Sequence, residues 1–230
     1  MRSMIVTLGV ILVGQASNSN ADVLTERTYS TEETRRLAHN YGQCVVRSHA
    51  MLASRAVLGN VDRLTLKKQY PLLLDRNCVD KQNQTLAFPG DFFAYILADA
   101  LVARELTSAP TPDLSNVPPL ERRSVAGFAD LKRKFGYDAA LAAASEGNVY
   151  QEFNDYGECV VRQNPADAKM LLMTNPESAA EVSAFAALQP ALSACALQGT
   201  TMELTKLLVR GTVAFNYYRL AQSALHIPVH

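Results

Sequence analysis

Tyr41-Gly42-Gln43-Cys44-Val45-Val46-Arg47 recurs 115 positions later as Tyr156-Gly157-Glu158-Cys159-Val160-Val161-Arg162. Only the third position differs between the two copies, and so close a match is very improbable by chance in a chain of 230 residues. Self-similarity of this kind is the signature of an internal repeat. The sequence therefore predicts a tandem duplication, in which each unit contains one copy of the motif.

The four cysteines follow the same duplication. Cys78 lies 34 positions after Cys44, and Cys195 lies 36 positions after Cys159. In an exported chain this arrangement predicts one disulfide in each unit, Cys44 with Cys78 and Cys159 with Cys195. Pairing across the units and free or metal-bound thiols are the alternatives. Zinc is disfavoured because no Cys-x-x-Cys or Cys/His cluster has ligand spacing, and no metal or cofactor is predicted.

The predicted fold is all-α, a tandem duplication of a disulfide-stapled multi-helix unit. The units are expected at residues 22–106 and 124–230, and a Pro-rich extended linker joins them at 107–123. Ser30 and Glu33 have the spacing of a capping box, and the helix that they open can continue as far as Leu58. Further helices are expected near 124–135, 137–145, 150–163, 166–173, 178–189, 190–197 and 202–222.

The amino-terminal segment has the pattern of a signal peptide. Arg2 precedes the uncharged apolar run from Met4 to Val13, and small residues at Ser19 and Ala21 suit cleavage before Asp22. The run is too short to span a bilayer, and no later stretch is long and apolar enough to do so. We therefore predict a leader at residues 1–21, no stable membrane insertion, and a periplasmic or secreted protein. A buried amino-terminal helix or strand is the alternative.

The composition excludes two classes of function. Lysine and arginine number 22, aspartate and glutamate also 22, and 48% of the residues are hydrophobic. Binding to nucleic acid through phosphates requires a basic excess, so no nucleic-acid partner is expected. Wholesale disorder requires low hydrophobicity together with high net charge, so the chain should fold.

The repeated motif also supplies the candidate binding residues. Tyr41 and Arg47, with their equivalents Tyr156 and Arg162, are either a duplicated ligand-facing pair or structural residues. In the structural interpretation, which we favour, tyrosine packs on a neighbouring helix and arginine pairs with a carboxylate or a helix carboxyl end. Gly42 and Gly157 indicate close approach of another backbone, unless they are inherited without a role.

No catalytic constellation is evident. His39 and His49 do not share a helix face with Cys44, and we expect both to be ordinary surface or boundary residues. Pro228 separates His226 from His230 and prevents a helical metal pair. No nucleophile elbow, phosphate loop, dinucleotide fingerprint or zinc-protease motif occurs. Three carboxylates at helical spacing are expected on a solvated face: Glu152, Asp155 and Glu158.

Part of the second unit resembles a family of exported bacterial helical proteins of unknown function. The resemblance lies in the motif at 156–162, Asn164-Pro165-Ala166-Asp167-Ala168 with Leu171-Leu172, Leu192-Ser193-Ala194-Cys195, and Arg210-Gly211. It is fainter in the first unit, which departs from it at 48–50 and 75–77. The resemblance implies export, helices and disulfides, and it does not indicate any particular activity.

These patterns favour a non-enzymatic binding or interaction protein of the cell envelope that uses the groove between its units for a protein or small-molecule ligand. The alternative is a small lysozyme-like envelope hydrolase whose acid is one of Glu152, Asp155 and Glu158. Such an enzyme needs a carboxylate in an apolar cleft.

Overall fold

A computed structural model describes residues 30–79, 92–123, 133, 137–196 and 204–226. The predicted leader, the predicted helix at 124–135 apart from residue 133, and the histidine at 230 lie outside the described residues. The described part is helical and contains no strand, as predicted. Its helices are α1 (Thr31–Leu58), α2 (Arg63–Gln69), α3 (Phe92–Glu105), α4 (Tyr137–Gln163), α5 (Pro165–Leu172), α6 (Ala179–Ala194) and α7 (Lys206–His226), with short 3-10 turns at Pro71–Leu73 and Arg76–Cys78.

Helix α1 begins at the predicted capping box. The Glu33 amide donates to Ser30 Oγ at 3.2 Å, and the Ser30 amide donates to the Glu33 carboxylate at 3.0 Å. The helix extends to Leu58 but kinks at His49, where φ is −134° and ψ is 36°. The corresponding position 115 residues later is Asn164, which separates α4 from α5 and accepts from the Asp167 amide. The two halves therefore bend at matching positions, although only the second has an Asn-Pro sequence.

Two predicted helix boundaries were wrong. Helix α4 is continuous from Tyr137 to Gln163, although we expected a break at Gly147. Helix α6 continues through Pro190, although we expected two shorter helices there. Glycine in a helix interior costs only about 1 kcal/mol, and burial of Tyr150 and Phe153 just beyond Gly147 is large enough to outweigh it. In α6, burial of Leu188 and Ala191 on either side of Pro190 favours continuation in the same way.

Helices α3 and α7 form the centre of the molecule. Every residue of α3 from Phe93 to Val102 is buried, and so is every residue of α7 from Leu208 to Ala221. Helix α1 packs on α3, α4 packs on α7, and α3 packs on α7. Where the two central helices cross, a Cβ added to Gly211 would lie 2.9 Å from the Cβ of Tyr95. Both halves of the chain therefore contribute to one hydrophobic core.

Each half contains one disulfide, and the pairing is the predicted one. Cys44 bonds Cys78 with a Cα–Cα distance of 5.5 Å, and Cys159 bonds Cys195 with 5.8 Å. The first bond links α1 to the segment that precedes α3, and the second links α4 to the carboxyl end of α6, which precedes α7. This arrangement is compatible with a duplicated, disulfide-stapled helical unit.

The Pro-rich segment at 107–123, here called the strap, lies against the helices. Leu114 and Val117 are buried, and the Leu120 amide donates to the Glu158 carboxylate at 3.1 Å. At its end, Arg123 Nε donates to the carbonyl of Asn60 at 2.8 Å. The strap thus runs from one half to the other while it is held by side chains of both.

Within the described residues, no helix combines the length and apolar character that a membrane span requires.

Candidate functional site

Three helices meet at a buried charge, the carboxylate of Glu181 on α6. Arg35 Nη2 of α1 donates to Glu181 Oε1 at 2.6 Å, and Arg210 Nη1 of α7 lies 3.2 Å from the same oxygen. The Glu181 side chain has no exposed surface, and the two arginines are 3% and 4% exposed. Since an unpaired charge at this depth would be strongly destabilising, these three side chains depend on one another.

Asp99 extends the same chain of ion pairs to α3. Arg210 Nε donates to Asp99 Oδ1 at 3.1 Å, and Asp99 Oδ2 lies 2.9 Å from Nδ1 of His39. His39 lies one turn after Arg35 on α1, so the chain of contacts returns to the helix where it began. We call this set the ion network; its members are Arg35, His39, Asp99, Glu177, Glu181 and Arg210.

Arg210 also caps the end of α5. Its guanidinium donates to the carbonyls of Leu171 at 3.1 Å, Leu172 at 3.2 Å and Thr174 at 2.8 Å. Carbonyls at a helix carboxyl end lack intrahelical donors, so a buried arginine is a suitable partner for them. Arg210 therefore joins α7 to α5 and α6 in the second half and to α3 in the first.

Glu177 enters the network from an unusual backbone conformation. It lies in the turn between α5 and α6 with φ at 64°, a region that side chains other than glycine rarely adopt. Its carboxylate pairs with Arg35, and its amide donates to Glu181 Oε2 at 2.9 Å. Such a conformation costs about 1–3 kcal/mol and persists because the surrounding contacts fix it.

The electrostatics of the network keep Asp99 ionised. Burial alone would raise the pKa of Asp99, but attraction to Arg210 and the hydrogen bond and charge of His39 outweigh burial and hold that pKa below its ordinary value. Three carboxylates face two guanidiniums, so the network has one excess negative charge whenever His39 is neutral.

The network borders a cleft between the two halves of the chain, which we call the inter-unit cleft. It encloses about 370 Å³ including its open mouth. Arg35, His39, Asp99 and Arg210 form its polar side, and its apolar lining includes Phe92, Tyr95, Ile96 and Leu207. Apolar walls with a few converging polar groups are the usual composition of a small-molecule site.

Two groups in the cleft have unused binding capacity: the buried Nε of Arg35 has no hydrogen-bond partner among the described residues, and His39 has one ring nitrogen open. Because Asp99 is ionised, Nδ1 of His39 carries the hydrogen that it shares with Asp99. Nε2 has no hydrogen-bond partner among the described residues, and the side chain is 14% exposed. The described residues that line the cleft include no Ser, Thr or Cys. The Asp99–His39 pair therefore has no hydroxyl or thiol nucleophile beside it among these residues.

The residues of the repeated motif lie away from the cleft. The hydroxyl of Tyr41 donates to the carbonyl of Leu73, and that of Tyr156 donates to the carbonyl of Leu192, each at 3.4 Å. Both tyrosines therefore contact the segment that carries the second cysteine of their half. Burial raises the pKa of each tyrosine to about 12, with a smaller effect of Asp75 on Tyr41.

The two arginines of the motif have different surroundings. Arg162 pairs with Glu158 at 2.8 Å and donates to the strap carbonyls of Val117 at 2.9 Å and Pro118 at 2.7 Å. Arg47 is exposed. The second arginine is therefore a structural residue that holds the strap.

The carboxylates considered for hydrolysis do not meet in a cleft. Glu152 is exposed, Asp155 pairs with Arg122 at 2.7 Å on the surface, and Glu158 is occupied by Arg162 and the strap. None of the three borders the inter-unit cleft. The described residues also contain no group of three His, Cys, Asp or Glu side chains that could hold a metal ion.

Sequence reasoning missed the ion network, and His39, which was expected to be a surface or boundary residue, is a partly buried member of it. A signal for it exists: Asp99 interrupts the apolar run of α3, and Arg210 interrupts that of α7. Charged residues in otherwise apolar helices are rarely buried unless they are paired. Which charges pair with which could not be read from the sequence, because the paired residues lie 29 to 146 positions apart.

No protein-family model matches this chain, and no match was found among the curated proteins or the solved structures.

Proposed function

We propose that this chain is an exported, non-enzymatic binding protein that holds a small ligand in the inter-unit cleft. The observation that carries the proposal is the composition of the cleft, in which a buried ion network faces an apolar wall at the junction of the two halves. Sites of this kind commonly lie between structural units, where side chains from several elements converge.

Three features favour binding over catalysis. The guanidiniums of Arg35 and Arg210 both pair with buried carboxylates, which neutralise the positive charge that would stabilise an anionic transition state. The described cleft residues include no serine, threonine or cysteine nucleophile. No observation favours the lysozyme-like alternative, because its three candidate carboxylates lie at the surface or under the strap.

Export is part of the same proposal. Two disulfides are typical of proteins that fold in an oxidising compartment, and the amino-terminal sequence has the pattern of a leader. The periplasm and the external medium are both compatible with these features. Cell fractionation and amino-terminal sequencing of the mature protein would test export, with cleavage expected before Asp22.

Ligand-observed NMR with a fragment library would test the location of binding. We expect Leu207→Trp, which fills the cleft from α7, to abolish fragment binding, while Leu225→Trp on the same helix leaves it unchanged. Leu207 lines the cleft, whereas Leu225 is 68% exposed and outside it. Binding that is equal in the wild type and Leu207→Trp would contradict the proposal.

A further inference from the structure

We infer that residues 47–76 form a surface, here called the basic surface, that attaches the protein peripherally to membranes rich in anionic phospholipids. No residue of this range lines the inter-unit cleft, so the inference is independent of the proposed ligand binding.

The basic charge of the chain is concentrated in this range. Between Arg47 and Arg76 there are six lysines and arginines and two aspartates, although the whole chain has 22 residues of each sign. Residues 162–191, which hold the same place in the second half, contain two basic and three acidic residues instead. The chain is therefore neutral overall, but this part of the first half has a positive excess that the second half does not share.

The positive charge of the basic surface is not neutralised within it. Five exposed basic side chains have no ion-pair partner among the residues that the structure describes: Arg47, Arg55, Lys67, Lys68 and Arg76. Both aspartates accept hydrogen bonds from backbone close by, Asp62 from the Thr65 amide at 2.7 Å and Asp75 from the Asn77 amide at 2.9 Å. The five cations are therefore available to an external anion.

Helix α3 adds one charge of each sign at this end of the molecule. Arg104 donates to the Val46 carbonyl at 2.8 Å. Glu105 accepts from the Tyr218 hydroxyl at 2.6 Å, and that hydroxyl also lies 2.8 Å from Ser54 Oγ. These two charges offset each other and leave the positive excess unchanged.

Large apolar side chains are exposed among these cations. Four of them are between 39% and 78% exposed: Met51, Leu58, Leu72 and Leu74. On α1, Met51, Arg55 and Leu58 follow one another at intervals of four and three positions, so they share one face of the helix. Apolar side chains beside lysine and arginine are the composition of surfaces that lie in the membrane interface.

Contacts along α1 hold the two parts of the basic surface together. After α1 ends at Leu58, the chain reverses and returns beside the helix. Asp75 lies 3.8 Å from Nε2 of His49, and Cys78 is bonded to Cys44. The exposed lysines and leucines of the returning segment therefore lie beside the second part of α1, at the same end of the molecule.

An anionic membrane fits this composition better than an acidic protein does. Each lysine or arginine close to an anionic lipid surface strengthens binding about fivefold, and these cations have no internal partner. Single protruding side chains such as Met51 can enter between lipid headgroups, whereas a protein partner usually covers a contiguous, closely packed patch.

Flotation of the purified, disulfide-bonded protein with lipid vesicles would test the attachment. We expect binding to vesicles of equal parts phosphatidylglycerol and phosphatidylcholine, and no binding to phosphatidylcholine alone. Raising the salt from about 0.1 M to about 1 M shortens the Debye length from about 10 Å to about 3 Å and should weaken the binding.

The double variant Lys67→Gln, Lys68→Gln tests the role of charge. Loss of two exposed cations should weaken vesicle binding about 25-fold, while urea unfolding stays unchanged. Lys206→Gln is the matched control, because Lys206 is exposed but lies near Glu32 at the opposite end of α1. Its vesicle binding should remain within about twofold of the wild type.

Tryptophan fluorescence tests the apolar contact. The chain contains no tryptophan, so Met51→Trp introduces a single reporter. Its emission should shift to the blue on phosphatidylglycerol vesicles and be quenched by brominated lipid. Met170→Trp is the control, because Met170 is 46% exposed on α5 in the second half, and its emission should not shift.

Several results would overturn the inference. They are equal binding to both kinds of vesicle, absence of binding to either, undiminished binding of the double lysine variant, and an unshifted spectrum for Met51→Trp. Tighter binding of polyglutamate than of vesicles would also overturn it, because the basic surface would then recognise an acidic protein. None of these results bears on the inter-unit cleft, which Leu207→Trp tests separately.

Discussion

Gly157 lies directly against Thr212 where α4 crosses α7. A Cβ at Gly157 would collide with the Thr212 hydroxyl and lie 2.7 Å from the Thr212 carbonyl oxygen. In the first half, a Cβ at Gly42 would lie 2.7 Å from the carbonyl oxygen of Ile96 on α3. Both glycines of the repeated motif therefore permit close packing of an opening helix on a central helix.

Replacing Gly157 with alanine should lower the free energy of unfolding. Helix propensity alone would stabilise α4 by about 1 kcal/mol, whereas overpacking against backbone typically costs about 1–3 kcal/mol. Because a neighbouring backbone cannot move aside cheaply, the overpacking cost should lie toward the upper end of that range. We therefore expect a net loss of up to about 2 kcal/mol in urea unfolding, and a similar loss for Gly42→Ala.

Gly59→Ala is the matched control for this substitution. Gly59 is exposed at the end of α1 and has φ of −71°, which alanine adopts readily. A Cβ there would lie 3.0 Å from the Arg55 carbonyl oxygen, a looser contact than the 2.7 Å to backbone at Gly157. The free energy of unfolding should therefore change by less than about 0.5 kcal/mol, as is usual at the surface. An increase in stability for Gly157→Ala would show that the helices separate easily and would contradict the close-packing argument.

Asp99→Asn should destabilise the protein and change its response to acid. The substitution leaves Arg210 and His39 without their buried carboxylate, and breaking a buried ion pair typically costs about 3–5 kcal/mol. Because the pKa of Asp99 is lowered in the folded state, its contribution is present above the ordinary pKa of aspartate, about 3.9, and is lost as the pH falls through the folded value. The variant should therefore lose less stability than the wild type as the pH falls below about 4.

Asp155→Asn serves as the control because it makes the same chemical change in a surface pair. Asp155 contacts Arg122, whose side chain is 70% exposed, and exposed pairs contribute at most about 1 kcal/mol. Equal losses for the two variants in urea unfolding would mean that the ion network does not stabilise the junction of the halves.

The contrast between the disulfides and the ion network shows what the sequence could predict. The even number of cysteines and their matching separations in the two halves favour one pairing of the four, and the structure has that pairing. The fold class followed from helix periodicity and capping residues, which act over a few positions. No comparable rule pairs Glu181 with Arg35, because that contact depends on how α6 and α1 pack.

Helix continuity could not be predicted for a related reason. Gly147 and Pro190 are local signals against a helix, but burial of neighbouring side chains favours continuation by more than the local cost. His49 shows the converse, since α1 kinks there without glycine or proline. Tertiary packing accounts for the continuous helices at Gly147 and Pro190, and the local sequence offers no reason for the kink at His49.

Alkaline titration should show tyrosines that ionise late. Burial raises the pKa of Tyr41, Tyr156 and Tyr217 to about 12 each, against an ordinary value of about 10. Because the folded pKa is the higher one, these groups favour the folded state fully below pH 10, and this stability is lost as the pH rises toward 12. Tyrosinate absorbance should therefore develop in an early and a late phase.

Tyr156→Phe should remove one tyrosine from the late phase and leave the early phase unchanged. In denaturant, where the burial is lost, wild type and variant should each titrate in a single phase. The cost in stability should stay below about 1 kcal/mol, because the hydroxyl makes a 3.4 Å bond to the Leu192 carbonyl. An unchanged late phase in the variant would mean that Tyr156 is accessible to solvent.

Arg162→Met should release the strap. The substitution removes the donors to Val117 and Pro118 and leaves Glu158 without its ion pair, so we expect a loss of about 2 kcal/mol in urea unfolding. Hydrogen exchange measured by mass spectrometry should accelerate in peptides from 107–123.

Arg47→Met is the matched control, since Arg47 holds the same place in the first motif but is exposed, and its effect should stay below about 0.5 kcal/mol. Faster strap exchange in Arg162→Met alone would show that one arginine of the duplicated motif holds the strap and the other does not. Equal acceleration in both variants would contradict this role of Arg162.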